Sequence, residues 1–416
     1  MSSAIGRRPV VAIIGTCDTK LEAMVFIKHT ITSGGKCEAI IIDIGSYEPS
    51  NSTEINISRR QILGKSSWDK VPSRGAAMKT MANALTRTLS RLHDEQSICG
   101  VIGAGGSGNT SVCTTAFRDA LPIGFPKLMV STMASGDVSH YVGETDITMM
   151  YSVVDIAGMN NILEIILGSA ARAIAGMASD VVPTNTTSSR PAIAISMFGV
   201  TTPCVQIATK LIEDLGYAAV VFHATGAGGK AMERLILEGN FVGVLDLTTT
   251  ELADELIGGV LTAGPLRLEA AAKAGIPQVV SVGALDMVNF GPSSTVPDKF
   301  KGRLFHEHNT SVTLMRTTRD ECTQLGEILA RKVDIAANGM SRVILPLRGI
   351  SLIDVKDAPF YDAAADQALF LALKKGVRCP VVEVESDIND PTFAKEAVRL
   401  LHEMITSSAK SAGTGA

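Results

Sequence analysis

ICGVIGAGGSGNT, positions 98–110, empties a short apolar run into five glycines and a cluster of hydroxyl and amide side chains. Val101 and Ile102 sit among small residues, as in a parallel strand buried under helices on both faces. Glycines there let the backbone turn sharply and approach a ligand closely, with successive N–H groups forming an anion nest. The next residues, TSVCTTAFRDAL (110–121), predict a helix whose N-terminal dipole favours the same anion. No Gly-Lys-Ser/Thr follows, so this is not a Walker loop. Gly103, Gly105 and Gly108 match G-x-G-x-x-G, but the acidic residue that closes a second strand in a dinucleotide fold is missing about 20 positions on. A tight strand-to-helix turn without a ligand is the plainer reading of the same residues.

The residues upstream and downstream repeat the pattern. VVAIIGT (10–16) is a strand that runs into Cys17 and Asp18, and 19–32 predicts a helix stopped by Gly34-Gly35. A second strand covers 39–44, with Asp43 near its carboxyl end. Positions 46–73 are polar and proline-punctuated, the composition of a surface excursion outside the sheet. A helix at 78–92 leads into the glycine-rich stretch, strand 127–130 empties into STMASGD (131–137), and 147–150 can add another strand. Strands alternating with helices, and polar residues gathered at strand ends, describe a doubly wound α/β sheet with its ligand outside those ends. Three loops converge there: Thr16, Asp18, Thr19 and Lys20; Gly105, Gly106, Ser107, Gly108, Asn109 and Thr110; and Ser131, Ser135 and Gly136. Backbone N–H groups, hydroxyls and the Lys20 ammonium suit nucleotide phosphates, and Asp18 or Asp137 can hold magnesium through water. The alternative is that these Ser, Thr and Asp residues only cap helices.

At 416 residues the chain is long enough for two domains of ordinary size. Apolar residues make up 46% and charged residues 19%, a balance typical of α/β proteins with parallel sheets. A net charge of −4 without a basic run excludes the electrostatic footprint of a nucleic-acid binder. The seven cysteines are scattered and form no C-x-x-C pair, as in a reduced intracellular protein. No segment reads as a signal peptide or a membrane span, so a cytoplasmic location is expected. PTNTTSSRP (183–191) is the clearest linker, giving domains at 1–183 and 191–416 joined by 184–190.

The second half alternates in the same way, with strands at 192–197, 218–222, 242–247, 278–282, 312–315, 342–347 and 381–384. They suit a second doubly wound Rossmann-like sheet or most of a βα-barrel. Their tips carry His223, Asp246, Glu251, Asp286 and Arg316, a set able to transfer protons on a small anionic metabolite. Equally, Asp246 and Glu251 can cap a helix while His223 bonds a neighbouring loop. His306-Glu307-His308 lacks a third metal ligand and reads as a surface or interface pair. Small residues at 162–177 suit close helix contacts within or between subunits.

Nine blocks carry a family resemblance: GTCDTK (15–20), GAGGSGNT (103–110), VSTMASGDVSHYVGETDI (130–147), SVVDIAGMN (152–160), MFGVTTPCV (197–205), FHATGAGGKAMERL (222–235), LDLTTTELADELIGG (245–259), GALDMVNFGP (283–292) and LPLRGISLID (345–354). Together they resemble the Tm-one-like ATP-binding proteins, the family of the tomato mosaic virus resistance protein, over about 9–404. The resemblance implies two Rossmann-like subdomains, ATP held with Mg2+, self-association as a homo-oligomer and a possible protein partner. It also implies that the plant protein continues into a further barrel-like domain where this chain stops. Two functions stay open: a nucleotide-binding module that shapes a dimer or partner surface, and a metabolic enzyme with its site between the subdomains. An NAD-type dehydrogenase is disfavoured by the missing ribose-binding acid.

Overall fold

The computed structural model describes residues 8–46, 52–64, 73–179, 190–336 and 339–413, with side chains to 408. The chain divides into two compact units, 1–185 and 186–416. Of the expected linker 184–190, all but Arg190 lies outside the described residues.

Unit 1 contains β1 (Val10–Gly15), α1 (Cys17–Ser33), β2 (Glu38–Asp43), β3 (Ile55–Ile57), α2 (Arg59–Leu63), α3 (Arg74–Asp94), β4 (Gly100–Gly105), α4 (Ser107–Ala120), β5 (Lys127–Ser131), α5 (Ser139–Val142), β6 (Thr148–Tyr151) and α6 (Asn161–Ser179). Its strands form one parallel sheet in the order β3-β2-β1-β4-β5-β6. This is the order of a dinucleotide-binding sheet, whose strand direction of travel reverses between β1 and β4. Alternate residues of β1 serve opposite faces. Val11 and Ile13 pack with α1 and α6, whereas Ala12 and Ile14 pack with α3 and α4. Burial on both faces explains why these strands read as unbroken apolar runs.

Two sequence expectations change here. The stretch expected to lie outside the sheet contributes Ile55–Ile57, which pairs with β2 as an edge strand. Asn56 Oδ1 accepts the Ile41 N–H at 2.9 Å, so a polar side chain completes the pairing that a three-residue strand leaves open. α6, with 19 residues, is long and apolar enough to cross a membrane by length and composition. In the fold it lays Leu163, Leu167, Ala170, Ala171 and Ile174 into the sheet core.

Unit 2 contains β7 (Ala192–Met197), α7 (Thr202–Asp214), β8 (Ala218–His223), α8 (Ala227–Leu237), β9 (Gly243–Thr248), α9 (Glu251–Ile257), α10 (Ala270–Ala274), β10 (Gln278–Gly283), β11 (Met287–Phe290), β12 (Phe305–Asn309), β13 (Val312–Arg316), α11 (Arg319–Val333), β14 (Ser341–Pro346), α12 (Ala363–Gly376), β15 (Val381–Val384) and α13 (Pro391–Gly413). A parallel sheet runs β15-β14-β10-β9-β7-β8. It is open, with β15 and β8 at its edges, so the barrel alternative is excluded. α7 and α13 cover one face, and α8, α10, α11 and α12 the other. The strand at 312–315 is not part of this sheet. It belongs to a small antiparallel sheet, β11-β13-β12, because only Thr310 and Ser311 separate it from β12 and a connection that short permits only a hairpin.

Candidate functional site

The strand-order reversal of unit 1 brings the loop after β1 beside the loop after β4. Within GAGGSGNT the glycines do different work. A Cβ at Gly103 would meet Met129 Sδ at 2.7 Å, and one at Gly105 would meet Asn109 Cβ at 2.6 Å. Those two glycines are dictated by packing. At Gly108 a Cβ would find only Arg74 Nη2 and Met78 at 3.8 Å, ordinary contact at the wall of an open cavity.

That cavity, about 310 Å³, opens at the N-terminus of α4. The helix starts at Gly106 with no side-chain cap. Among the described residues, the first-turn N–H groups of Ser107, Gly108 and Asn109 meet no acceptor, since the bonds of this turn begin with Thr110 N–H to Gly106 O at 2.9 Å. Thr16 and, from the first turn of α1, Asp18, Thr19 and Lys20 line the same cavity, as do Gly106, Ser107, Gly108 and Asn109. Arg74, the first residue of α3, adds a guanidinium, and Ile44, Met78, Met81 and Val112 supply an apolar floor. Donors, two cations and a helix N-terminus around one space are groups whose chemistry suits an anion.

Local bonds set these groups. Lys20 leaves helical geometry at φ −133° and its Nζ donates to Ile156 O. Asp18 Oδ2 accepts from Ser46 N at 2.9 Å, and the Thr16 and Thr19 hydroxyls lie 3.2 Å apart. Asp43, fully buried at the end of β2, accepts from Cys17 N at 3.0 Å and Gly45 N at 2.8 Å through Oδ1, holding the first loop against the second strand.

Other residues expected at the site are committed elsewhere. Thr110 and Ser131 are fully buried, share a bond of 2.6 Å and tie the β4 loop to the β5 loop. Asn109 Nδ2 donates to Ala104 O at 2.7 Å, so its amide serves the turn. Ser135 and Gly136 are exposed on a bend closed by Gly136 N–H to Met133 O. Asp137 accepts from Ser139 N at 2.9 Å and is committed to the start of α5; hydrogen bonding from the Ser139 side chain, then from its backbone N–H, holds the carboxyl below the usual range. Arg74 escapes a sequence reading because nothing in Ser73-Arg74-Gly75 sets it apart from an ordinary helix start.

A second cavity, of about 410 Å³, shares Gly106 and Ser107 with the first and extends to Thr132, Met133 and 151–155. At its rim Val153 has φ +62°, and Val154 N–H bonds Ser152 O at 2.7 Å. This is a γ-turn of the strained, positive-φ kind, held by Ser152 Oγ donating to Val154 O at 2.8 Å. For a β-branched residue such backbone costs about 1–3 kcal/mol.

The matching glycine-rich turn of unit 2, HATGAGGK, is already filled. Glu251 Oε1 accepts from Gly226 N at 2.7 Å and Gly229 N at 3.1 Å, so a carboxylate of the chain occupies the anion position at the start of α8. A Cβ at Gly229 would lie 2.1 Å from that carboxylate, and one at Gly228 would lie 1.8 Å from His223 O. Behind Glu251 stands Arg267, fully buried. Its Nε donates to Glu251 at 2.6 Å, and Nη1 and Nη2 grip Asp246 at 2.5 and 2.7 Å. Glu233 completes the set at 3.2 Å. Burial pulls the guanidinium down, but these carboxylates outweigh it and keep Arg267 charged. Burial pushes the Glu251 carboxyl up, and Arg267 and the Gly226 N–H only partly offset it.

Arg316 centres a different cluster. Its Nη2 donates to Asp366 at 2.8 Å and Asp354 at 3.2 Å, and Nε to Phe360 O at 2.7 Å. Asp286 accepts from Ser351 Oγ at 2.8 Å, while its other oxygen is buried without a partner. Burial pushes Asp286 up to about 6, tempered by Arg316. Burial together with Asp286 and Asp366 pushes Asp354 up to about 9. His223 is apart from both networks, exposed and stacked on Phe198 at 5.5 Å. The five expected catalytic residues are thus distributed over three places rather than gathered at one. Arg267, which anchors one of them, carries no sequence signal beyond an arginine between two leucines. Among the described residues no group of three or more His, Cys, Asp or Glu side chains could hold a metal, and His306 packs edge-on to Phe360 at 6.1 Å.

Two profiles of an uncharacterised protein family, UPF0261, match this chain: its N-terminal domain over 9–183 and its C-terminal domain over 190–405. The chain belongs to the UPF0261 family. A UPF0261 protein of Clostridium tetani is 47% identical over 95% of this chain and 98% of its own length. The tomato ToMV resistance protein Tm-1(GCR237) is 39% identical over 96% of this chain, which spans only 56% of that protein. The expected relationship to the tomato resistance proteins is therefore correct. Among solved structures, a Neisseria meningitidis UDP-GlcNAc 2-epimerase bound to UDP-GlcNAc aligns over 65% of this UPF0261 chain and 82% of its own, at 10% identity and a TM-score of 0.23. So distant a likeness bears on no ligand.

Proposed function

We propose that the N-terminal unit of this UPF0261 protein binds a nucleotide, ATP with Mg2+, with its phosphates on the N-terminus of α4. The carrying observation is the uncapped first turn of α4, whose N–H groups open on a cavity flanked by Lys20 and Arg74. The equivalent turn of unit 2 is stoppered by Glu251, so the contrast within one chain supports a ligand role for the open turn. Asp18, which lines this cavity, would be the carboxylate that holds Mg2+, an ion that usually takes one or two protein carboxylates and completes its shell with phosphate and water.

Calorimetric titration with Mg2+ and ATP tests this reading. Gly108→Val should fold, since its Cβ has 3.8 Å of clearance, yet fill the cavity wall and abolish binding. Arg74→Ala should weaken binding by about 10- to 100-fold, the worth of a charge-assisted hydrogen bond. An intact chain that takes up no heat from Mg-ATP would refute the proposal.

A further inference from the structure

The two cavities that share Gly106 and Ser107 differ in charge, and the difference gives the site a direction. On the β1 and α3 side stand Lys20 and Arg74 against one carboxylate, Asp18. On the β5 and β6 side Asp155 is the only charged side chain among the described residues that line the cavity, and it repels phosphate. The walls there are Tyr151, Met133 and Val153, exposed by 41, 40 and 57%. Val153 is held out at that rim by the γ-turn, in a backbone conformation that β-branched residues avoid. The Thr132 and Ser107 hydroxyls lie at the junction.

Resting on the proposed nucleotide site, we infer that the second cavity receives the uncharged, ring-bearing half of the ligand. The phosphates point toward Arg74 and Lys20, and the nucleoside lies against Tyr151 with Met133 and Val153 beside it. An aromatic face stacks on any base and discriminates little among them, so this compartment contributes affinity for a planar ring more than choice of base. Asp155 is placed to accept from a sugar hydroxyl or an exocyclic amine, and it disfavours a ligand reversed end to end.

Inorganic tripolyphosphate and ATP, each with Mg2+, separate the two halves of the argument. The intact chain should bind both, ATP more tightly. Tyr151→Ala should weaken ATP by about ten-fold and leave tripolyphosphate unchanged, and Tyr151→Phe, which keeps the ring, should restore ATP binding. Arg74→Ala should weaken both ligands together. Equal loss of both ligands in Tyr151→Ala, or loss of neither, overturns the assignment of the second cavity while the phosphate cradle stands. If neither ligand binds the intact chain, the nucleotide reading itself falls and this inference with it.

Discussion

Replacing Arg267 by methionine should unfold unit 2 preferentially, and the bonds of the guanidinium set the size of the effect. Five bonds disappear: one to Glu251, two to Asp246, one to Glu233 and one to Thr248 O at 3.3 Å. The carboxylates are not left equally bare. Glu233 keeps the N–H groups of Leu268, Glu269 and Ala270, and Glu251 keeps those of Gly226 and Gly229. Asp246, only 1% exposed, keeps a single donor, Ser196 Oγ at 2.6 Å. The penalty therefore concentrates on one buried, uncompensated charge, about 3–5 kcal/mol. Because the two units need not unfold together, urea titration should be read by hydrogen exchange of peptides from each unit separately. Asp246→Asn in the same chain, which removes the stranded charge, should recover about 1–3 kcal/mol of the loss. A loss below about 1 kcal/mol in unit 2, or an equal loss in unit 1, would refute the view that this arginine is the electrostatic anchor of its unit.

Asp354 holds a proton in the folded state up to about pH 9, against 3.8 for the free group. The folded form then binds more protons than the unfolded one, so this group's contribution is full below about pH 4 and declines as pH rises toward 9. Asp354→Asn, a neutral isostere, should lie within about 1 kcal/mol of the parent at pH 7 and flatten that decline in a pH series of urea midpoints. Val153→Asn, tolerant of positive φ, should raise the melting temperature of unit 1 through a gain of about 1 kcal/mol. Gly229→Ala should lower stability by about 1–3 kcal/mol through its 2.1 Å clash with Glu251, whereas Gly108→Ala should be neutral or stabilising by thermal melt.

The architecture was readable because a parallel strand buried on both faces leaves a run such as VVAIIG or GVIGAG that no amphipathic helix would tolerate. The short edge strand at Asn56 was not readable, since a side-chain bond rather than a pattern secures it. Neither was the β12–β13 hairpin, in which FHEHN carries too little apolar alternation to stand out. At the site, the glycine-rich turn of unit 1 and its Lys20 were visible as types at a spacing. Which hydroxyls face the cavity and which lock loops together was not visible, because Thr110 and Ser107 differ only in where the turn rotates them. The same limit applies to HATGAGGK. Its composition matches an open cradle, and only Glu251, 22 residues beyond Gly229, reveals that it is closed.

A cradle closed by its own chain has a thermodynamic consequence for the protein as a whole. Glu251 reaches Gly226 and Gly229 as an intramolecular ligand, present at one fixed effective concentration whatever the surrounding solution contains. Unit 2 therefore folds with its anion already supplied. A ligand that occupies the open turn of unit 1 instead stabilises that unit by mass action, by about 2.7 kcal/mol at a hundred times its dissociation constant. Filling the open turn would thus move the melting of one unit and leave the other as an internal reference, so that a single calorimetric trace reports occupancy directly.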